Sequence, residues 1–304
     1  MTPSKPLGPL SEPAYEVLDP RFTPCVVPGG LAERLWTGGG WTEGPVWFAA
    51  GYLLWSDIPN NNLLRWDAGS GACSAFRQPS SGSNGNTLDR DGRLITCEHF
   101  SRRVSRTEAD GSITTLAANF NGKRFNAPND VVVKSDGTIW FTDPSYGGGP
   151  EYEGTLELQG CHVYRLDPAT GDIRQMTHDM VMPNGLAFSL DERQLYVVDT
   201  GSSEREDGPN HIRRFDLGAD GGLSGGAVFA TSAAKAFDGI RFDSLGRLWC
   251  SEVDGAHCYA SDGTLIGKLK LPEPAANLTF GPEGWMMITA TTSLYRVPVN
   301  ARRP

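Results

Sequence analysis

Six stretches of this chain can be laid over one another in a single phase, which confines the fold to an array of like units. One copy is complete between Arg124 and Gly149. Asn129 leads into the β-branched run Val131 to Val133, Ser135-Asp136-Gly137 makes a turn, and Thr138 to Thr142 alternates around Ile139, Trp140 and Phe141 before Asp143. A polar residue therefore stands at each end of a predicted hairpin, and both ends share one face. The other five copies are headed by Glu43, Asn86, Asn184, Asp238 and Asn277, each followed by a strand-like run, a turn and a second run.

Each unit continues with two further runs, such as His162 to Leu166 and Asp172 to Met176, so four strands per unit are expected. The sixth unit is one strand short, with only Leu294 to Val297 left before the chain stops. Ala32 to Trp36 lies upstream of the first unit with no place in it, and supplies the missing strand. Six four-stranded sheets, the last closed by an N-terminal strand, make an all-β six-bladed β-propeller, which also hides edge strands that an open array exposes. A β-sandwich is the alternative, but units in one phase favour the ring. The first strand of each propeller blade lines the channel, so the six heads are expected at one mouth.

Composition agrees with many short strands: 37 Gly and 21 Pro punctuate the chain, and no long helix-period segment appears. At 304 residues a single all-β domain over 21–304 is expected, preceded by a loose Pro-rich arm over residues 1–20. That arm lacks the apolar core of a secretory signal, and no run approaches the length of a membrane span. A net charge of −9 argues against nucleic acid or an anionic membrane as partner. Six cysteines without Cys-x-x-Cys spacing indicate neither a zinc knuckle nor a redox pair and read as buried thiols in a cytoplasmic protein. Cys250 and Cys258 fall on neighbouring predicted strands and could approach each other, but in a reducing compartment they would stay free.

All six heads carry carboxylate or amide oxygens, with two formal charges among them, and no His or Cys holds a head position. Hard divalent ions take such ligands, so calcium leads, with magnesium or manganese next; zinc stays possible where it is abundant. A single Asn or Asp before a strand ordinarily caps a turn, but six in phase exceed that use. The returning strands end on Asp57, Glu98 or His99, Asp143, Asp199 and Glu252, a second polar ring with substrate or ligand-orienting roles. His99 is the histidine placed to enter the site. His162, His178, His211 and His257 fall on outer strands or loops, and no Ser-His-Asp arrangement emerges.

Glu-Gly-Pro at the first head, Arg-Phe-Asn-Ala-Pro-Asn-Asp with Trp-Phe-Thr-Asp-Pro, Met-Pro-Asn-Gly-Leu-Ala-Phe-Ser, and Phe-Asp-Gly-Ile-Arg-Phe-Asp together resemble the gluconolactonase, regucalcin and luciferin-regenerating-enzyme family. The resemblance covers Trp41 to Val297 and is most like a bacterial gluconolactonase. It implies a six-bladed propeller with one catalytic divalent ion, ligands Glu43, Asn129, Asn184 and Asp238, and Arg124 as a substrate contact, with Asn126 competing for that role. Asn86, His99, Asp143, Asp199 and Asn277 would complete the substrate shell. The implied reaction is hydrolysis of a sugar-acid lactone, with Asp238 as general base or, in a rival step, nucleophile. A phosphotriesterase-like hydrolase on the same ion and a non-enzymatic calcium-binding propeller are the other classes. The expected partner is a small lactone, and the expected state a monomer or weak dimer.

Overall fold

The structure is a computed structural model describing residues 8–146, 155–234, 237–282 and 284–304. Among the described residues it contains six antiparallel blade sheets built on the expected four-stranded plan, besides a two-stranded hairpin. In blade one, Thr42–Phe48, Tyr52–Asp57, Asn62–Asp67 and Cys73–Arg77 pair in chain order. Blades two, three and four follow the same order from Ser83–Leu88, Val131–Val133 and Pro183–Phe188, and blade five from Ile240–Phe242. Blade six takes three strands from the C-terminal end, Ala275–Phe280, Trp285–Ala290 and Ser293–Pro298, and its fourth from Leu31–Thr37. The closing register sets Leu294 against Trp36 and Arg296 against Glu33. The fold is a six-bladed β-propeller whose last blade is closed by an N-terminal strand. Among the described residues no helix is long and apolar enough to cross a membrane.

The blades fall into two compact units, Met1–Gln78 with Ala236–Pro304, and Pro79–Lys235. The first holds blades one, five and six. Between blades six and one, Leu35, Trp36, Trp55, Trp66 and Leu294 form one apolar cluster, and Trp36 meets Trp55 edge-on at 5.5 Å. Between blades five and six, Trp249, Ile266, Leu278 and Tyr295 form another, which also takes in Phe22 and Cys25. The second unit holds blades two to four, joined by clusters around Phe125, Phe141 and Tyr164 and around Trp140, Leu186 and Val197. Trp140 and Trp249 occupy equivalent places on the second strands, opposite the third residue after the head, whereas Trp55 stands one step further on and faces the other side of its sheet; all three are fully buried. Truncating such a residue to Ala costs about 3–5 kcal/mol.

Two expectations are corrected. Within the stretch expected as a loose arm, Gly8–Pro13 pairs with Leu31–Thr37 and Tyr15–Val17 pairs with Leu265–Lys270, each adding a fifth strand to a blade. A short 3₁₀ turn, Pro20–Cys25, follows and lays Phe22 against Gly267, where a Cβ would come within 2.2 Å of the Phe22 ring. Backbone pairing at an open edge needs no alternating pattern, so Pro-rich composition did not prevent it. Cys250 and Cys258 do lie on paired strands, but Cys258 is opposite Trp249 and Cys250 opposite His257. One step of register places the two thiols on opposite faces. Cys258 instead meets the thiol of Cys25, and among the described residues all six cysteines are free.

Candidate functional site

Each head stands just before its blade's first strand, or in the N-terminal half or middle of it, and four of the six sit in an irregularity of the ladder. Register shifts fall between Glu43 and Val46, Ser83 and Asn86, Pro183 and Leu186, and Ala275 and Asn277. In blades three and five the strand begins just after the head, at Val131 and Ile240. A bulge breaks regular side-chain alternation and re-aims one residue out of the sheet, which suits a ligand-bearing position.

In the first unit the heads Glu43, Asp238 and Asn277 lie in or just before the first strands of neighbouring blades. Glu43 Oε2 accepts from its own next residue, Gly44 N–H, at 2.7 Å and from Asn277 Nδ2 at 3.0 Å. Gly44, at φ 48°, makes the left-handed turn that aims its N–H back. Gly239 donates its N–H to Ala276 O at 2.9 Å, and a Cβ on it would lie 2.2 Å from the Asn277 carboxamide. Glycine at this place therefore lets the Asp238 and Asn277 strands close up. Asn277 is spent on Glu43 and, through Oδ1, on Leu278 N–H. It serves to orient Glu43 rather than to reach outward.

In the second unit Asn86, Asn129 and Asn184 lead blades two to four. Gly85 N–H donates to Asn129 O at 2.8 Å, and a Cβ there would strike the Asp130 backbone, so Gly85 fixes the approach of the second head to the third. Asn86 is tied inward: Thr96 donates to its Oδ1 and its Nδ2 donates to Asn84 O, both at 2.8 Å. Asn129 and Asn184 differ. Both are 5% exposed, the Asn129 side chain bonds no described residue, and Asn184 bonds only through Nδ2, to Thr200 Oγ1 at 3.3 Å. Near-buried amide oxygens with no described partner are the donor type a hard cation takes, so the residues present fit a divalent ion.

Among the heads, Asp238 is half-exposed while Glu43, Asn86, Asn129, Asn184 and Asn277 are buried. Of the carboxylates in this set, it is the one solvent reaches.

The returning acids do something the sequence did not indicate. Asp57 Oδ1 accepts Gly40 N–H at 3.0 Å, Asp143 Oδ2 accepts Asn126 N–H at 2.9 Å, and Asp199 accepts Val181 and Met182 N–H at 2.9 and 2.8 Å. In each case the bonded backbone lies two or three residues before the head. In blade six Thr291 keeps the same contact with reversed polarity, donating its N–H to Pro274 O. Buried hydroxyls just before these positions are a second repeated device: Thr142 Oγ1 accepts Asp130 N–H, and Ser251 Oγ donates to Ala276 O. Their signal was a Ser or Thr preceding the acid in Ser-Asp, Thr-Asp and Ser-Glu. Glu98 is held by Ser101, Ser105 and Arg103 within 2.6 Å, and Glu252 accepts Val253 N–H.

His99 is buried beside Asn84, whose Nδ2 lies 3.0 Å from Nε2, and burial lowers its pKa to about 4, so it is neutral at physiological pH. Arg124 is half-exposed; its N–H donates to Glu157 and its Nη2 to Ser101 O at 3.4 Å. Asn126 is buried, with Nδ2 donating to Asp143 O and Gly160 O at 3.3 and 3.0 Å.

Burial pushes the Asp143 carboxyl up to about 7, against the opposing pull of the Asn126 and Ala127 N–H groups and the Arg102 charge. The folded pKa stands above the ordinary 3.8, so folding favours the protonated form. The stability this contributes is complete below about pH 4 and is lost as pH rises through about 7. Wild-type stability should therefore fall relative to Asp143→Asn between pH 5 and 8, with a slope of at most about 1.4 kcal/mol per pH unit, and its melting temperature with it. Parallel profiles from paired thermal melts across that range would remove the raised pKa from the account.

A family model described as SMP-30/Gluconolactonase/LRE-like region matches residues 41–292. A gluconolactonase of Zymomonas mobilis is 31% identical over 84% of this chain and 78% of its own. A 6-deoxy-6-sulfogluconolactonase of Pseudomonas putida is 27% identical over 83% of this chain and 82% of its own. A solved structure from Xanthomonas campestris, described as a gluconolactonase important in glucose secondary metabolic pathways, is 33% identical with a TM-score of 0.89, covering 98% of this chain and 99% of that one. The phased heads, the bulges that aim them and these similarities have one reading: the chain belongs to the SMP-30/gluconolactonase/LRE-like family.

Proposed function

We propose that this protein is a divalent-metal-dependent lactonase, hydrolysing a gluconolactone-like sugar-acid lactone to the aldonic acid. The observation that carries the reading is the set of oxygen-bearing heads at bulged strand starts, in a chain 31% identical to a gluconolactonase. Glu43, Asn129, Asn184 and Asp238 would hold the ion. Calcium suits two carboxylates and two amide oxygens best, with magnesium, manganese and zinc as the other candidates. When bound, the ion would supply Lewis-acid polarisation of the lactone carbonyl.

The chain's own residues do the rest. Asp238 is assigned the proton: its carboxylate takes it from the water that attacks the carbonyl carbon, and the ring oxygen receives a proton as the ester bond breaks. One lactone and one water thus give one aldonic acid. Asn277 keeps the Glu43 carboxylate in place. Arg124 is favoured over Asn126 as the substrate contact, because both Asn126 amide hydrogens are engaged with backbone carbonyls. Asp143 and Asp199 hold the segments that lead to Asn129 and Asn184. Six buried thiols, free among the described residues, suit a reducing compartment such as the cytoplasm.

The testing experiment is lactone hydrolysis followed by acid release, before and after exhaustive chelation and then with added calcium, magnesium, manganese or zinc. Hydrolysis of D-glucono-δ-lactone should be lost on chelation and restored by at least one ion. Activity that survives chelation would remove the ion, and hydrolysis of a phosphotriester without any lactone would reassign the substrate class.

A further inference from the structure

The six-residue path from Arg124 to Asn129 is held at one peptide group by a buried guanidinium and a buried carboxyl group. Arg102 Nε donates to Phe125 O at 2.6 Å, and Asp143 Oδ2 accepts from Asn126 N–H at 2.9 Å. Phe125 C=O and Asn126 N–H are the two ends of the same peptide plane. Both side chains are fully buried, at 0% exposure. Such a plane has one orientation: rotated by half a turn it would aim its carbonyl at a carboxylate and its N–H at a guanidinium, each desolvated and unpaired.

Arg102 reaches this position from the turn between the second and third strands of blade two. Its φ of 56° is one that L side chains rarely adopt, and such outliers persist where the surroundings over-determine them. Its Nη1 also donates to Thr155 O at 3.3 Å and lies 4.0 Å from Glu157, whose other oxygen accepts Arg124 N–H. One buried cation therefore ties together the turn after blade two's second strand, the segment 124–126 and the segment 155–157.

We propose that Arg102 and Asp143 are positioning residues that clamp the Phe125–Asn126 peptide and thereby set Asn129 for its role in the site. Neither touches substrate; both act through the backbone. The clamp is the strongest form of a device also present at Asp57 and Asp199, where an acid alone holds the segment before the head. The kinetic consequence rests on the lactonase reading, whereas the clamp itself does not.

Two measurements test it on the full chain: amide hydrogen exchange at Asn126, and kcat for D-glucono-δ-lactone with the ion that supports activity. Arg102→Met and Asp143→Ala should each speed exchange at Asn126 by at least about 10-fold without matching acceleration in blade-five strands. Each should lower kcat of the folded protein by about 10–100-fold, the range for groups that orient ligands. Asp143→Asn keeps an acceptor oxygen and should recover most of both effects. Because both residues act on one peptide, the double variant should be within about 3-fold of the worse single one. Unchanged exchange at Asn126, or kinetic losses that multiply in the double variant, would overturn the clamp. Should Arg102→Met fail to fold, Arg102→Lys, which keeps charge and a donor but not the planar fork, should show the same effects in reduced measure; wild-type exchange in Arg102→Lys together with Asp143→Ala overturns it. An inactive wild type would end the lactonase reading and leave exchange to decide the clamp alone.

Discussion

Asp238→Asn should lower kcat for lactone hydrolysis by about 10²- to 10⁴-fold while the protein still binds its ion, somewhat more weakly. The reasoning lies in what the two side chains can do at one place. Asparagine keeps an oxygen for a cation but cannot take a proton from water or attack carbon. Asp238 is also the half-exposed member of the head set, whereas Glu43 is buried and bonded to Gly44 and Asn277. Glu43→Gln should therefore act through ion affinity, and Asn184→Ala likewise, so that excess ion recovers part of the rate in both. Saturating-metal kinetics paired with calorimetric titration of the ion separate the cases. Near-normal kcat in Asp238→Asn at saturating ion would leave Asp238 a ligand only, and the proton acceptor would have to be sought among the other acids.

Removal of residues 1–40 should abolish soluble expression, and removal of residues 1–13 should lower the melting temperature without unfolding the protein. The longer cut takes away Leu31–Thr37, the strand that pairs with Ser293–Pro298, and with it the buried Leu35 and Trp36. It also removes Phe22 and Cys25, both at 0% exposure against blade five. Loss of one Leu, one Phe and one Trp from a packed core costs about 8–15 kcal/mol, comparable to the whole stability of a domain. The open edge left on Ser293–Pro298 is in addition a template for aggregation. The shorter cut removes only Gly8–Pro13, whose residues are mostly exposed, and keeps the Tyr15 hydroxyl bond to Pro298 O. Equal melting and yield of the two truncations would count against closure through Leu31–Thr37.

How much of this was legible in the sequence depends on the range of the interaction. A hairpin is specified by neighbours: β-branched alternation, a Gly-containing turn and a returning run lie within about fifteen residues. Hence the six units, their four strands and the missing strand of blade six could be read by laying the repeats over one another. Residues 8–17 could not, since their strands rest on backbone pairing with edges far away in the chain and carry no apolar alternation of their own. The hairpin of Asn119–Phe120 with Lys123–Arg124 was missed for the same reason, being two residues on each side.

The site divides in a similar way. That Glu43, Asn86, Asn129, Asn184, Asp238 and Asn277 are equivalent follows from their phase, which the chain states directly. Their inequality does not. Asn86 and Asn277 are spent on Thr96 and Glu43, while Asn129 and Asn184 keep oxygens without a described partner; that difference arises from which side chain the next strand or blade presents. Nor could repeat logic tell that Asp57 and Asp199 turn toward backbone N–H groups, where bulges shift register between two strands, or that Asp143 does, where the Asn126 backbone it binds lies outside any strand. The Phe125–Asn126 clamp is the clearest case. Arg102 lies outside the repeat pattern, and its guanidinium joins the Asp143 carboxyl only because packing within one unit buries both beside the same peptide. The sequence by itself determined the repeat, the strand count and the oxygen character of the heads, all local properties; tertiary packing decided which heads stay available and what holds them, because desolvation and register are set by residues far apart in the chain.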